Sequence, residues 1–307
     1  MKIAVAVPAH ALELPSALRT TTASFKAQGA DVYIVVDDPQ TYLKFVRYVG
    51  DLRPMWLITQ QAGVGAARNY GLAHLASSGY DCVLTADSHV RLLDSLDVLC
   101  RDALAYGATQ GWRIDATHQQ LVSGTIPSDK KPWFGRMYSV TLSKYVEVFD
   151  CVHKPWSYEP LTAYSATALK HLMKAQSGYV IIGRGFGAEL SELTMSLSRL
   201  GYKVACSHVR YLHRFSKGDE PFWRDRWSDE QNRLFKESFG VYVAKHIPPE
   251  AQQRSPYYPF LKEVKTWQWP LIEEFNRSAR YSTVFVYELF LNSGAPKAAG
   301  NLGDLLV

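Results

Sequence analysis

The chain has 307 residues, 47% hydrophobic and 21% charged. That composition excludes a disordered or collagen-like polypeptide, and the length suffices to bury a large core. A formal net charge of +5, with the basic residues scattered, excludes a polybasic arm and suits nucleotide diphosphates, nucleic acid or a membrane surface without selecting among them.

The opening KIAVAVPAH enters a strand at once, with no signal-peptide pattern, and nothing resembles a membrane span of roughly 18 apolar residues. Four cysteines, Cys82, Cys100, Cys151 and Cys206, lie far apart without a CxxC, which reads as reduced thiols. The expectation is a soluble, cytoplasmic protein.

Strands are expected at 2–7, 31–36, 55–59 and 80–86, separated by amphipathic helical stretches near 15–28, 39–49 and 63–78. Strands alternating with helices predict a parallel sheet covered on both faces. Ligands gather at the carboxyl ends of such strands. Three ends carry polar groups: Pro8-Ala9-His10, Asp37-Asp38 and Asp87-Ser88-His89. From 107 to 165 the pattern turns to shorter β-like pieces, followed by GYVIIG (178–183), a helical stretch at 187–202 and a strand at 203–215. This mixed half reads as continuous with the parallel half. After Phe215, charged and aromatic helical segments predominate.

Four stretches carry chemistry. Asp87 and His89, two apart at a strand end, would share a face of extended chain; oxygen and imidazole together suit a divalent ion, Mn2+ or Mg2+, that also holds a diphosphate. The bland alternative is a helix cap and a surface histidine. AGVGAARNYGL (62–72) places small residues and Arg68 at a helix start, fitting phosphate contact or, equally, close packing of the helix on the sheet. Glu189 and Glu192 fall in one helical turn, where the helix dipole alone would favour carboxylates. His208 and His213, five apart on a strand, face opposite sides, so at most one reaches the site.

In this order the stretches resemble GT-A glycosyltransferases, and most of all the polypeptide N-acetylgalactosaminyltransferase family. Its D-S-H metal motif is matched by Asp87-Ser88-His89. Its W-G-G-E-N-x-E-[LI]-S is matched in part by FGAELSEL, with the two glutamates on Glu189 and Glu192. Its C-S-R-V strand is matched by Cys206-Ser207-His208-Val209. Phe186 stands in place of the family tryptophan, Ala188 in place of the second glycine, and Tyr211 where the family histidine is expected. The span from Glu189 to RLGY also resembles the inverting synthase-like family, but Leu190 stands where that family has its catalytic aspartate.

The resemblance covers roughly residues 1–214 and implies a GT-A catalytic domain there, a Rossmann-like sheet merged with a smaller mixed sheet. Residues 215–307 would form a mainly helical extension, with neither the family's lectin domain nor its N-terminal anchor. It implies a divalent ion held by Asp87, His89 and His213, with His208 as the alternative third ligand. The donor would be a nucleotide diphosphate sugar, UDP-linked, flanked by Pro8, Ala9, His10, Asp37, Arg68, Asp87 and Ser88. Glu189 and Glu192 would face the sugar or the acceptor hydroxyl. With leucine at 190, a retaining reaction is the simpler expectation; an inverting reaction with Glu189 as base and a non-catalytic nucleotide-sugar binding module are the alternatives. For the acceptor, a hydroxymethylated DNA base, a protein or a glycan all fit, with Trp223, Arg224, Arg226 and Trp227 offering stacking and charge.

Overall fold

The computed structural model describes residues 1–60, 63–128, 160–214 and 228–279, together with the backbone of 136–139 and 144–147. The strands are β1 (Ile3–Pro8), β2 (Asp31–Val36), β3 (Met55–Ile58), β4 (Cys82–Ala86), β5 (Val90–Leu92), β6 (Gly107–Ala116), β7 (Arg136–Ser139), β8 (Lys144–Glu147), β9 (Leu161–Ser165) and β10 (Lys203–Arg214). Eight of them form one sheet in the order β3-β2-β1-β4-β9-β6-β10-β5, while β7 and β8 pair with each other. The strands β1 to β4 are mutually parallel; β9 runs antiparallel between β4 and β6, and β10 pairs parallel with β6. Six strands therefore point the same way and deliver their carboxyl ends to one edge. The expected fold class holds, a Rossmann-like half merged with a mixed half, although the mixed half continues the same sheet instead of forming a second one.

Apolar runs such as IAVAVP and DVYIVV reflect burial on both faces. With a side-chain period of two, the odd positions Val5 and Val7 join Val32, Ile34 and Leu84 in one core, and the even-numbered Ala4 and Ala6 join Tyr33, Val35 and Val83 in the other. The helices α1 (Pro15–Lys26), α2 (Pro39–Val49) and α4 (Leu96–Tyr106) cover the first face through Leu18, Phe25, Phe45 and Leu99. The second is covered by α3 (Val64–Ser77), α6 (Ala166–Ala175) and α7 (Glu189–Arg199), through Leu72, Leu169 and Leu193. Between α4 and α6, the short α5 (His118–Ser123) opens on a capping box of Thr117 and Gln120.

The helical extension comprises α8 (Asp229–His246), capped by Ser228 and Gln231, and α9 (Gln268–Ser278). It is tied to the sheet-bearing part by buried polar groups: Lys245 to Glu192 at 2.9 Å and Gln268 to the Ile182 carbonyl at 3.0 Å. Among the described residues, no helix is long and apolar enough to cross a membrane.

Candidate metal centre

At the carboxyl edge, β4 ends at Ala86 and the chain turns through Asp87, Ser88 and His89 into β5. Asp87 and His89 are thus not alternate positions of a strand, as expected, but lie on a tight turn that nevertheless brings them together. β10 pairs antiparallel with β5, His213 opposite Val90, and the Arg214 amide donates to the His89 carbonyl at 3.1 Å. This register sets the His213 ring 4.9 Å from that of His89, and His213 Nε2 3.2 Å from Asp87 Oδ2. One donor atom from each of Asp87, His89 and His213 lies within 4.8 Å of the other two. His208 sits elsewhere, exposed and edge-on to Trp112 at 4.6 Å. Between Cys206 and Arg210 the pairing of β10 with β6 shifts register, so strand parity cannot be carried from one histidine to the other.

The donor set fits a divalent cation. Burial takes His213 down to about 4, so its imidazole is neutral near pH 7. For Asp87, burial works against ionisation, but Arg68, His213 and His89 overcome it and hold the carboxyl well below its usual range. Burial would also lower His89, yet the facing Glu13 and Asp87 carboxylates outweigh it and raise it. The side chains of Asp87 and His89 keep 20% and 27% of their surface exposed, which leaves the centre open to a ligand.

The other expected residues are distributed around this point. Ala9 is buried, its amide bonded to the Val35 carbonyl at 2.9 Å, while His10 is exposed. Asp37 follows β2 at the same edge, its carboxyl raised chiefly by burial, against the pull of His10. Ser88 is buried and donates its hydroxyl to Glu13 at 2.6 Å. Trp223, Arg224, Arg226 and Trp227 lie outside the described residues.

Two expectations are altered by what the side chains touch. Arg68 was expected at a phosphate, but it is 2% exposed and its guanidinium bonds Asp87 Oδ1 and Thr85 Oγ1 and faces Glu189 Oε1 at 3.6 Å. It couples the candidate metal carboxylate to Glu189. Glu192 was expected to face sugar or acceptor, but it is fully buried and accepts from the amides of Ile182 and Gly183 and from Lys245 Nζ, each at 2.9 Å. Glu189 is also buried, its Oε2 receiving the Gly187 amide at 2.6 Å, and burial raises its pKa despite Arg68.

The glycine-rich helix start at 62–72 has its own occupant. The Ala66 amide donates to the Arg184 carbonyl at 3.1 Å, and a Cβ at Gly65 would fall 2.2 Å from the Gly183 carbonyl oxygen. The small residues admit the protein's own segment 183–185, and Gly71 admits Ala6 and Val35 of the sheet. Residues 180–185 carry no strand: amides there are taken by Asn69 (Val180 and Ile181), Glu192 (Ile182 and Gly183) and Ser238 (Gly185). Buried backbone that lacks a ladder must find such partners.

Sequence reasoning missed Glu13, which bonds His89, and Asp115, whose Oδ1 is 4.0 Å from His213 Nδ1. An acid placed between a strand end and a helix-starting Leu14-Pro15 was a faint signal for the first.

No model of a known protein family matches the chain. An uncharacterized 38.7 kDa protein of Thermoproteus tenax virus 1 (strain KRA1) is 21% identical over 271 residues, spanning 83% of this chain and 79% of the viral protein. Similar solved structures include the mannosyltransferase PcManGT from Pyrobaculum calidifontis in complex with GDP-Man and Mn2+, at 15% identity and TM-score 0.48, covering 95% of this chain and 79% of that one. TarS 1-349 of S. aureus follows at 17% identity and TM-score 0.44, covering 91% and 81%. Glucosyl-3-phosphoglycerate synthase from Mycobacterium tuberculosis, in complex with Mg2+ and uridine-diphosphate, is 14% identical at TM-score 0.44, covering 76% and 77%. The fold described above stands on its strand order, independently of these likenesses.

Proposed function

We propose that this protein is a metal-assisted glycosyltransferase that takes its sugar from a nucleotide diphosphate sugar. The observation that carries the reading is the convergence of Asp87, His89 and His213 at the carboxyl edge of the sheet, where open α/β sheets bind nucleotides. Two imidazole nitrogens and one carboxylate favour Mn2+ over Mg2+. When bound, the cation would supply Lewis-acid stabilisation of the departing diphosphate.

The protein's own groups do the rest. Arg68 holds the Asp87 carboxylate ionised and in place, so that oxygen need not reorganise when charge develops nearby. Asp37 and the 8–10 segment, at neighbouring strand ends, would flank the nucleoside, which the reading takes to be uridine. Glu189, which Arg68 links to the Asp87 carboxylate, would face the reacting sugar. With the buried Leu190 beside it, a retaining reaction remains the preferred reading, in which the leaving phosphate takes the acceptor proton. Acceptors on nucleic acid, protein and glycan all stay within the proposal, as does a cytoplasmic location.

The test is hydrolysis of a panel of nucleotide sugars with and without Mn2+, comparing wild type with Asp87→Ala. Metal-dependent cleavage of one donor, lost in the variant, supports the reading and names the sugar. Donor binding without cleavage, even when nucleic acid, protein and glycan acceptors are supplied, would instead make the protein a binding module. With an acceptor in hand, the anomeric configuration of the product by NMR decides between retention and inversion with Glu189 as base.

A further inference from the structure

Glu13 belongs to none of the expected constellations, yet its carboxylate is one of the most heavily engaged groups at the carboxyl edge. It lies between β1 and α1 with 8% of its side chain exposed. Oε2 accepts from His89 Nδ1 and from Ser88 Oγ, both at 2.6 Å; Oε1 accepts from the Leu14 amide at 2.8 Å and from Arg214 Nη1 at 3.3 Å. Two carboxylate oxygens offer about four acceptor positions, and four donors fill them. Glu13 therefore has no lone pair left for a cation and stands behind the ligands.

Its engagement has a directional consequence. An ionised carboxylate cannot donate, so the proton of that bond belongs to His89 Nδ1, and the ring's other nitrogen, Nε2, is the one turned towards Asp87 Oδ2 at 3.7 Å. An imidazole tied through one nitrogen to a carboxylate presents the other to a metal in a set tautomer and orientation. The surroundings hold both partners. Lys44 Nζ bonds the carbonyls of Ala11 and Glu13. On the other side, Thr21 Oγ1 donates to the Ser88 carbonyl at 2.9 Å and accepts the Val90 amide at 3.0 Å.

We propose that Glu13 is the positioning residue of the metal centre, holding His89 with Nε2 directed at the point shared with Asp87 and His213. The inference rests on the metal reading proposed above and adds to it a residue outside the ligand set. It also joins the metal turn to the loop that follows Pro8 and carries Ala9 and His10, so that the two sides of the donor site are braced by one carboxylate.

The experiment measures Mn2+ alone, without donor, by electron paramagnetic resonance of the free ion, for wild type, Glu13→Gln and Glu13→Asp. Alongside it, nitrogen-15 NMR of the metal-free proteins reads the His89 tautomer at a pH where the ring is neutral. Glutamine keeps the volume of Glu13 but turns an amide NH2 towards one pair of donors, so its Mn2+ affinity should fall at least about tenfold. Aspartate keeps the charge and should recover part of that loss. Wild-type His89 should show its proton on Nδ1, and the glutamine variant should lose that preference. Mn2+ affinity within about twofold of wild type in a folded glutamine variant, or wild-type His89 protonated on Nε2, overturns the inference. A wild-type protein that binds no Mn2+ while His89 keeps its Glu13-dependent tautomer overturns the metal reading itself, and the two failures are distinguishable. Should the glutamine variant not fold, the wild-type tautomer and the aspartate variant still decide.

Discussion

Replacing Glu192 by glutamine separates an interior anchor from a catalytic carboxylate. In the folded protein Glu192 satisfies the amides of Ile182 and Gly183 and pairs with Lys245, which has no exposed surface. Glutamine has one oxygen, so either the Gly183 amide or the Ile182–Lys245 side loses its acceptor. Stranding a buried amide costs about 1–3 kcal/mol. The lysine has an escape: burial already holds it down to about 8, so releasing its proton at pH 7 costs only about 1 kcal/mol. The expected destabilisation is therefore about 2–4 kcal/mol, a large share of the 5–15 kcal/mol typical of a folded domain. It should narrow by about 1 kcal/mol at pH 9, where the wild-type lysine is itself largely neutral. Urea unfolding followed by tryptophan fluorescence at both pH values reads the effect, with donor turnover measured on the folded protein. An unchanged unfolding midpoint combined with lost turnover would refute the argument and return Glu192 to the chemistry.

Other consequences follow from the same contacts. Gly65→Ala places a Cβ 2.2 Å from a backbone carbonyl oxygen, whereas Gly50→Ala meets nothing within 4 Å. The first should cost more than about 3 kcal/mol, and the second should be neutral or stabilising by up to about 1 kcal/mol in thermal or urea unfolding. His213→Ala should abolish Mn2+ binding, and His208→Ala should leave it unchanged, as read by the free-ion resonance signal; the reverse pattern would put His208 in the ligand set. Burial disfavours the Glu13 carboxylate, but His89 and Ser88 more than compensate and take it from 4.5 down to about 2. A depressed carboxyl contributes its stability above the unfolded value, so that contribution is complete above about pH 4.5 and is lost as pH falls towards 2. It amounts to about 3 kcal/mol. Unfolding midpoints between pH 6 and 2.5 should decline more steeply for wild type than for Glu13→Gln, and parallel curves would sink the assignment.

The residue pattern alone specified the alternation of strands and helices in the first hundred residues and the edge at which polar groups would gather. Both are local properties: a doubly covered strand must be an apolar run, and its carboxyl end is where the run gives way to Pro8, Asp37 and Asp87. It also supplied Asp87 and His89 as neighbours, because a single residue, Ser88, separates them whatever conformation the chain takes between. The tertiary structure decided which histidine joins them. His213 reaches Asp87 across 126 residues through the pairing of β10 with β5, and the register shift after Cys206 defeats any count of strand parity from His208. It likewise decided that Arg68 and Glu192 turn inward and that Glu13 reaches His89 across 76 residues. A charged side chain at a helix start reads the same in sequence whether it meets solvent, a phosphate or a buried partner. Only the packed structure supplies that partner: the end of β4 for Arg68, and the 182–183 backbone with α8 for Glu192.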